Sequence, residues 1–68
     1  MKLYRFLSGP DDASFCHKVT AALNKGWELS GSPTLAFNAK TGEMQCGQAV
    51  IKCVEGKEYH PELKLGEQ

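Results

Sequence analysis

The nine residues Ala21-Ala22-Leu23-Asn24-Lys25-Gly26-Trp27-Glu28-Leu29 constrain this chain most. A helical pattern stops there at a glycine, and a strand pattern begins at the only tryptophan. Before the corner the sequence reads as one strand feeding one helix. After it come a hairpin and a tail. Residues 2–8 form the first expected strand, with Leu3, Arg5 and Leu7 facing one way and Tyr4 and Phe6 the other. Both faces carry apolar groups, so both are expected to be covered.

Ser8-Gly9-Pro10-Asp11-Asp12 connects strand to helix. Ser8 or Asp11 is the expected cap, with the two aspartates complementing the positive helix end. The helix is expected over residues 11–25, where Phe15, Cys16, Val19, Ala22 and Leu23 make one apolar stripe. Gly26 suits the left-handed position just past its end.

From Trp27 the period becomes two. Trp27, Leu29, Gly31, Pro33, Leu35 and Phe37 share one parity. Pro33 cannot donate to a ladder, which assigns it to an edge or to a bulge near Gly31 and Ser32. Asn38 to Glu43 make a hairpin connection, and a third strand is expected over residues 44–54. The tail has no sustained period and contains Pro61, yet Tyr59, Leu63 and Leu65 are too apolar for a purely solvated segment. Residues 1–55 are thus read as the domain, and 56–68 as a tail that packs on its own sheet or on a partner's.

The order β-α-β-β is an α+β layer. A right-handed crossover leaves room for the third strand between the first two, giving order 1-3-2, with 1-2-3 as the alternative. One helix covers only one face of three strands. The other face is expected to pack against a second copy, burying roughly 1,200–2,000 Å². Size points the same way, because a chain of about 60 residues buries only about 60% of its unfolded surface and needs a further staple.

Disulfides and metal are poor candidates for that staple. Cys16, Cys46 and Cys53 are odd in number, and the opening Met1-Lys2-Leu3-Tyr4-Arg5-Phe6 is too short and too charged for a signal peptide. They are expected as reduced, buried thiols in a cytoplasmic protein. Cys46 and Cys53 are seven apart and fall on opposite faces of a strand, Cys16 and His17 diverge on a helix, and His60 stands alone, so no zinc set forms. No metal or other cofactor is expected. No apolar run approaches the roughly 18 residues that cross a bilayer. Eight basic and eight acidic residues are interleaved, so no basic face invites nucleic acid or an anionic membrane.

Catalysis has little to work with. Cys46 meets His60 only if the tail folds back or comes from a partner, and no nucleophile, base and orienting group stand together. No catalytic residue is assigned. Gly31-Ser32-Pro33 precedes no helix, and the aspartates would repel an anion at residues 8–12.

Three blocks carry a resemblance: Tyr4-Arg5-Phe6-Leu7-Ser8-Gly9-Pro10-Asp11-Asp12, then Ala22-Leu23-Asn24-Lys25-Gly26-Trp27-Glu28-Leu29-Ser30-Gly31-Ser32-Pro33-Thr34, then Cys46-Gly47-Gln48-Ala49-Val50. Together they resemble the small bacterial family designated domain of unknown function 1737, over nearly the whole chain. The resemblance implies a compact bacterial protein with a β-α-β-β core. It brings no activity, substrate or catalytic residue.

The leading expectation is a non-enzymatic, homo-oligomeric interaction module, a homodimer or larger, that works through its open sheet face or its tail. Another protein is a further candidate partner. The alternative is a small-ligand binding or regulatory domain with a pocket at the subunit interface. Trp27, Gln48, Tyr59, Leu63 and Leu65 are the candidate ligand or interface residues. A thiol enzyme using Cys46 ranks last.

Overall fold

A computed structural model describes residues 1–68. The chain runs β1 (Lys2–Pro10), α1 (Ala13–Asn24), β2 (Glu28–Asn38), β3 (Glu43–Cys53) and a single 3-10 turn, Leu65–Glu67. The sheet order is β1-β3-β2, with β3 antiparallel to both neighbours. The fold is α+β with an open sheet, in the strand order that the crossover argument favours.

β1 is longer than its apolar pattern suggests. Ser8, Gly9 and Pro10 stay in register with Gly47, Cys46 and Gln45, and the Asp11 N–H donates to the Met44 carbonyl beyond them. The helix therefore starts later, at Ala13. Its cap is Asp12 rather than Ser8 or Asp11: Ser8 is committed to the ladder, the Asp11 N–H continues it to Met44, and Asp12 has the extended backbone of a cap beside the first turn. Asp12 accepts from the Ser14 N–H at 2.8 Å.

The end of α1 is a Schellman motif. The Gly26 N–H donates to the Leu23 carbonyl and the Trp27 N–H to the Ala22 carbonyl, both at 3.1 Å. Gly26 takes φ +94°, which only a residue without Cβ adopts at little cost. This closure swings Trp27 under the helix, where it is 2% exposed. The core is Leu3, Leu7, Ala22, Trp27 and Val50, with Phe15, Val19, Leu63 and Leu65 packed against it.

β2 carries an irregularity at its middle. Ser30 pairs with Ala49 and Thr34 with Gly47, so Gly31, Ser32 and Pro33 stand opposite Gln48 alone. Two residues are extra. An even number keeps the parity of the strand, so Leu29 and Leu35 both fall on the helix side. Pro33 sits in the bulge, where its missing N–H costs no ladder bond.

The helix lies mainly against β1, not β2. This offset corrects the expected burial of Cys16 and Leu23 in the apolar stripe: Cys16 is exposed and Leu23 is 42% exposed. Cys53 is exposed as well, on the face away from the helix, and Cys46 is half-buried.

Candidate interaction surfaces

The register sorts the sheet into two faces. Tyr4 pairs with Ile51 and Ile51 with Glu28; Phe6 with Ala49 and Ala49 with Ser30; Ser8 with Gly47 and Gly47 with Thr34. These rows form the face opposite the helix. Tyr4 is 58% and Phe6 54% exposed there, so two aromatic rings stand uncovered beside small neighbours. The ring of Phe6 lies over Gly47. A Cβ built on Gly47 would meet Phe6 Cζ at 2.3 Å and Thr34 Oγ1 at 2.8 Å. The missing side chain is what lets the ring lie flat across β3.

On the helix side, Leu29, Leu35, Phe37 and Met44 are exposed because α1 is displaced from β2. Phe15, Cys16, Val19, Thr20, Leu29 and Gln48 line an open groove of about 280 Å³ there. Gln48 is buried, and its amide is occupied: Nε2 donates to the Ala49 carbonyl at 2.9 Å and reaches the Gly31 and Ser30 carbonyls at 3.3 and 3.4 Å. It props the bulge. Trp27 is buried, with its Nε1–H lacking a partner. Tyr59 is 62% exposed, and Leu63 and Leu65 are half-buried on the helix-side core.

The thiols gain no activating neighbour. Cys46 Sγ lies 3.5 Å from Asp11 Oδ1. Desolvation, then the hydrogen bond and negative charge of Asp11, push its pKa up from the ordinary thiol value. His60 is occupied with Glu62 Oε2 at 3.3 Å. Pro10, Asp11, Asp12, Glu43 and Met44 rim a shallow hollow of about 330 Å³, but no three metal-ligating side chains converge there or elsewhere. The only helix, α1, is far too short to cross a membrane.

The strand order, the Schellman corner and the Gly47 notch all arise within residues 1–53, and those residues match the family model described as Domain of unknown function (DUF1737). The chain belongs to that family. DUF1737 thus covers the three strands and the helix, while residues 54–68 lie outside the match. No curated protein and no solved structure matches the chain.

The sequence pointed to Trp27, Gln48 and the tail leucines, and the fold brings Trp27, Leu63 and Leu65 into one cluster while Gln48 serves the bulge. The sequence pattern does not join Phe6 and Gly47 as a pair. Their only signal was a glycine inside a strand pattern, which marks a close approach.

Proposed function

We propose that this DUF1737 chain is a non-enzymatic homo-oligomeric interaction module whose second copy covers the face opposite the helix. The observation that carries this reading is the pair of aromatic rings, Tyr4 and Phe6, more than half exposed on a face whose middle is Ile51, Ala49, Gly47, Ser30 and Thr34, with Lys2, Glu28 and Gln45 toward its ends. Small residues and a flattened ring make a surface that another sheet can approach to about 10 Å. Only seven of 68 residues are buried in the single chain, a thin core for independent stability.

Charge supports a particular arrangement. Lys2 lies on β1 and Glu28 on β2, near the same end of the face and at opposite edges. A two-fold axis parallel to the strands sets each β1 over its partner's β2. Lys2 then approaches the partner's Glu28, and Tyr4 lies over the same carboxylate. A two-fold across the strands brings no such opposition.

Sedimentation equilibrium tests this directly. The wild-type chain is expected to be a dimer or larger, and Phe6→Asp a folded monomer. Lys2→Glu is expected to weaken the assembly at least tenfold, and Lys2→Glu with Glu28→Lys to restore it. A monomeric wild type sinks the reading. Restoration absent from the double exchange sinks the arrangement.

A second reading, a small-ligand binding or regulatory domain with a seam pocket, draws on the groove along Phe15, Val19 and Leu29. That groove is open and about 280 Å³, below the roughly 300–1,000 Å³ of ordinary ligand sites. A thermal-shift screen that moves the melting point with a metabolite would favour it.

A further inference from the structure

A basic cluster surrounds Trp27. The Arg5 guanidinium stands 5.4 Å and the Lys52 ammonium 6.0 Å from the indole ring centre. Lys52 Nζ also donates to the Lys25 carbonyl at 2.7 Å, bringing Lys25, the last residue of the helix end, into the group. No carboxylate side chain pairs with any of the three cations; the one acid–base contact between side chains is His60 with Glu62. Within the same cluster the Trp27 Nε1–H is buried without a partner, a state that native structures seldom leave unused.

What covers the cluster is the tail. Lys25 Nζ donates to the Gly66 carbonyl at 3.2 Å, and Lys52 Nζ to the main-chain oxygen of Gln68. Arg5 Nη2 lies 3.8 Å from where a Cβ on Gly66 would stand. Leu63 and Leu65 pack on the adjoining core. The cations therefore hold main-chain oxygens of a segment that joins no strand and has only one short turn.

Charge is divided along the chain in the same sense. Residues 1–54 carry six Lys or Arg against four Asp or Glu, and the covering residues 59–68 carry one Lys (Lys64) against two Glu (Glu62 and Glu67). A net positive body is covered by a net negative tail. The family match also ends at residue 53, so the cradle lies in the DUF1737 fold and its cover does not.

We propose that the Arg5, Lys25 and Lys52 cradle around Trp27 is a docking site for an acidic peptide segment of a partner protein, and that residues 59–68 are a displaceable intramolecular ligand for it. The three cations supply long-range attraction and direct hydrogen bonds to carboxylates or carbonyls, and the half-buried positions of Leu63 and Leu65 accept two apolar anchors. A tethered segment needs little affinity to stay seated, because the linker keeps its local concentration high. A partner peptide must overcome that advantage, which makes the tail a threshold.

Trp27 is the only tryptophan, so its fluorescence reports on the site alone. The test uses the full chain carrying Leu63→Ser and Leu65→Ser, with a synthetic peptide of the sequence of residues 59–68 as probe. Saturable binding with a change in Trp27 emission is expected, at least tenfold tighter than to the wild-type chain, whose own tail competes. Arg5→Met or Lys52→Met in that background should weaken it by a further factor of about ten, and so should 0.5 M salt. A probe with Glu62 and Glu67 replaced by Gln should bind less well.

No saturable binding to the folded variant overturns the proposal, as does binding indifferent to both Met substitutions. Should the variant fail to fold, the wild-type chain carries the test. A large excess of probe must then shift the amide resonances of residues 63–68 to released positions, and no shift overturns the proposal. Wild-type dimers that Lys52→Met dissociates would overturn it too, in favour of tail exchange between two copies.

Discussion

Gln48 Nε2 reaches the Gly31 carbonyl at 3.3 Å, across a bulge that sets three residues of β2 against one of β3. The same amide donates to the Ala49 carbonyl at 2.9 Å and lies 3.4 Å from the Ser30 carbonyl. A glutamine is buried here because the bulge pulls β2 carbonyls off the ladder and leaves them needing donors. Gln48→Leu keeps the volume and removes the donor. It is expected to lower stability by about 1–3 kcal/mol, read as a lower urea midpoint at unchanged slope.

The corner at Gly26 and Trp27 was legible because its signals are local. A helix stripe ends, a glycine follows, and the period changes within a few residues. Pro33 likewise announced a bulge. That Gln48 would fill it was not readable, since the pairing joins residues 17 apart through a register that no local pattern contains. The burial of Cys16 failed for a related reason. Helix periodicity shows which face is apolar, but the sideways placement of α1 over β1 is decided by Leu3, Leu7 and Trp27 together. The basic cluster at Trp27 was hidden most deeply: Arg5, Lys25 and Lys52 come from three elements, and the tail that joins them has no period.

Asp12 gives the fold an acid dependence of known sign. The Ser14 hydroxyl, then the Ser14 N–H, bond its carboxylate and hold its pKa below the ordinary aspartate value. A folded pKa below the unfolded one means stability that is present above the unfolded value, about 3.9, and lost as pH falls through the folded value. Asp12→Ala is expected to lower Tm by several degrees at pH 7. Melting curves of the two proteins should converge as the pH falls through the folded value, where the wild-type carboxylate is protonated as well.

Cys46 is expected to be the slowest of the three thiols to alkylate. Its raised pKa lowers the thiolate fraction, whereas Cys16 and Cys53 are exposed. Mass spectrometry of the native chain treated with iodoacetamide at pH 8 should show Cys16 and Cys53 modified first. Asp11→Asn takes away a negative charge 3.5 Å from the sulfur and should speed the labelling of Cys46. Labelling of Cys46 ahead of Cys53 in the wild type would contradict the arrangement.

Gly47 and Phe6 offer a test that separates packing within the chain from packing between copies. Gly47→Ala would set a Cβ 2.3 Å from Phe6 Cζ, so the ring must leave the sheet surface. Since the ring is half exposed, it can swing outward, and the loss in stability is expected to be moderate, about 1–2 kcal/mol. Thr34 Oγ1, 2.8 Å from the same Cβ, turns away by a change of rotamer. Phe6→Ala removes the obstacle, so Gly47→Ala should be markedly less damaging in that background, giving a coupling of about 1 kcal/mol in a double-mutant cycle. The raised ring also spoils the flat face. Gly47→Ala alone should therefore weaken self-association more than its effect on chemical denaturation implies, as read by sedimentation at matched concentrations. Equal losses in both measurements would mean that Phe6 serves its own chain and not the neighbouring copy.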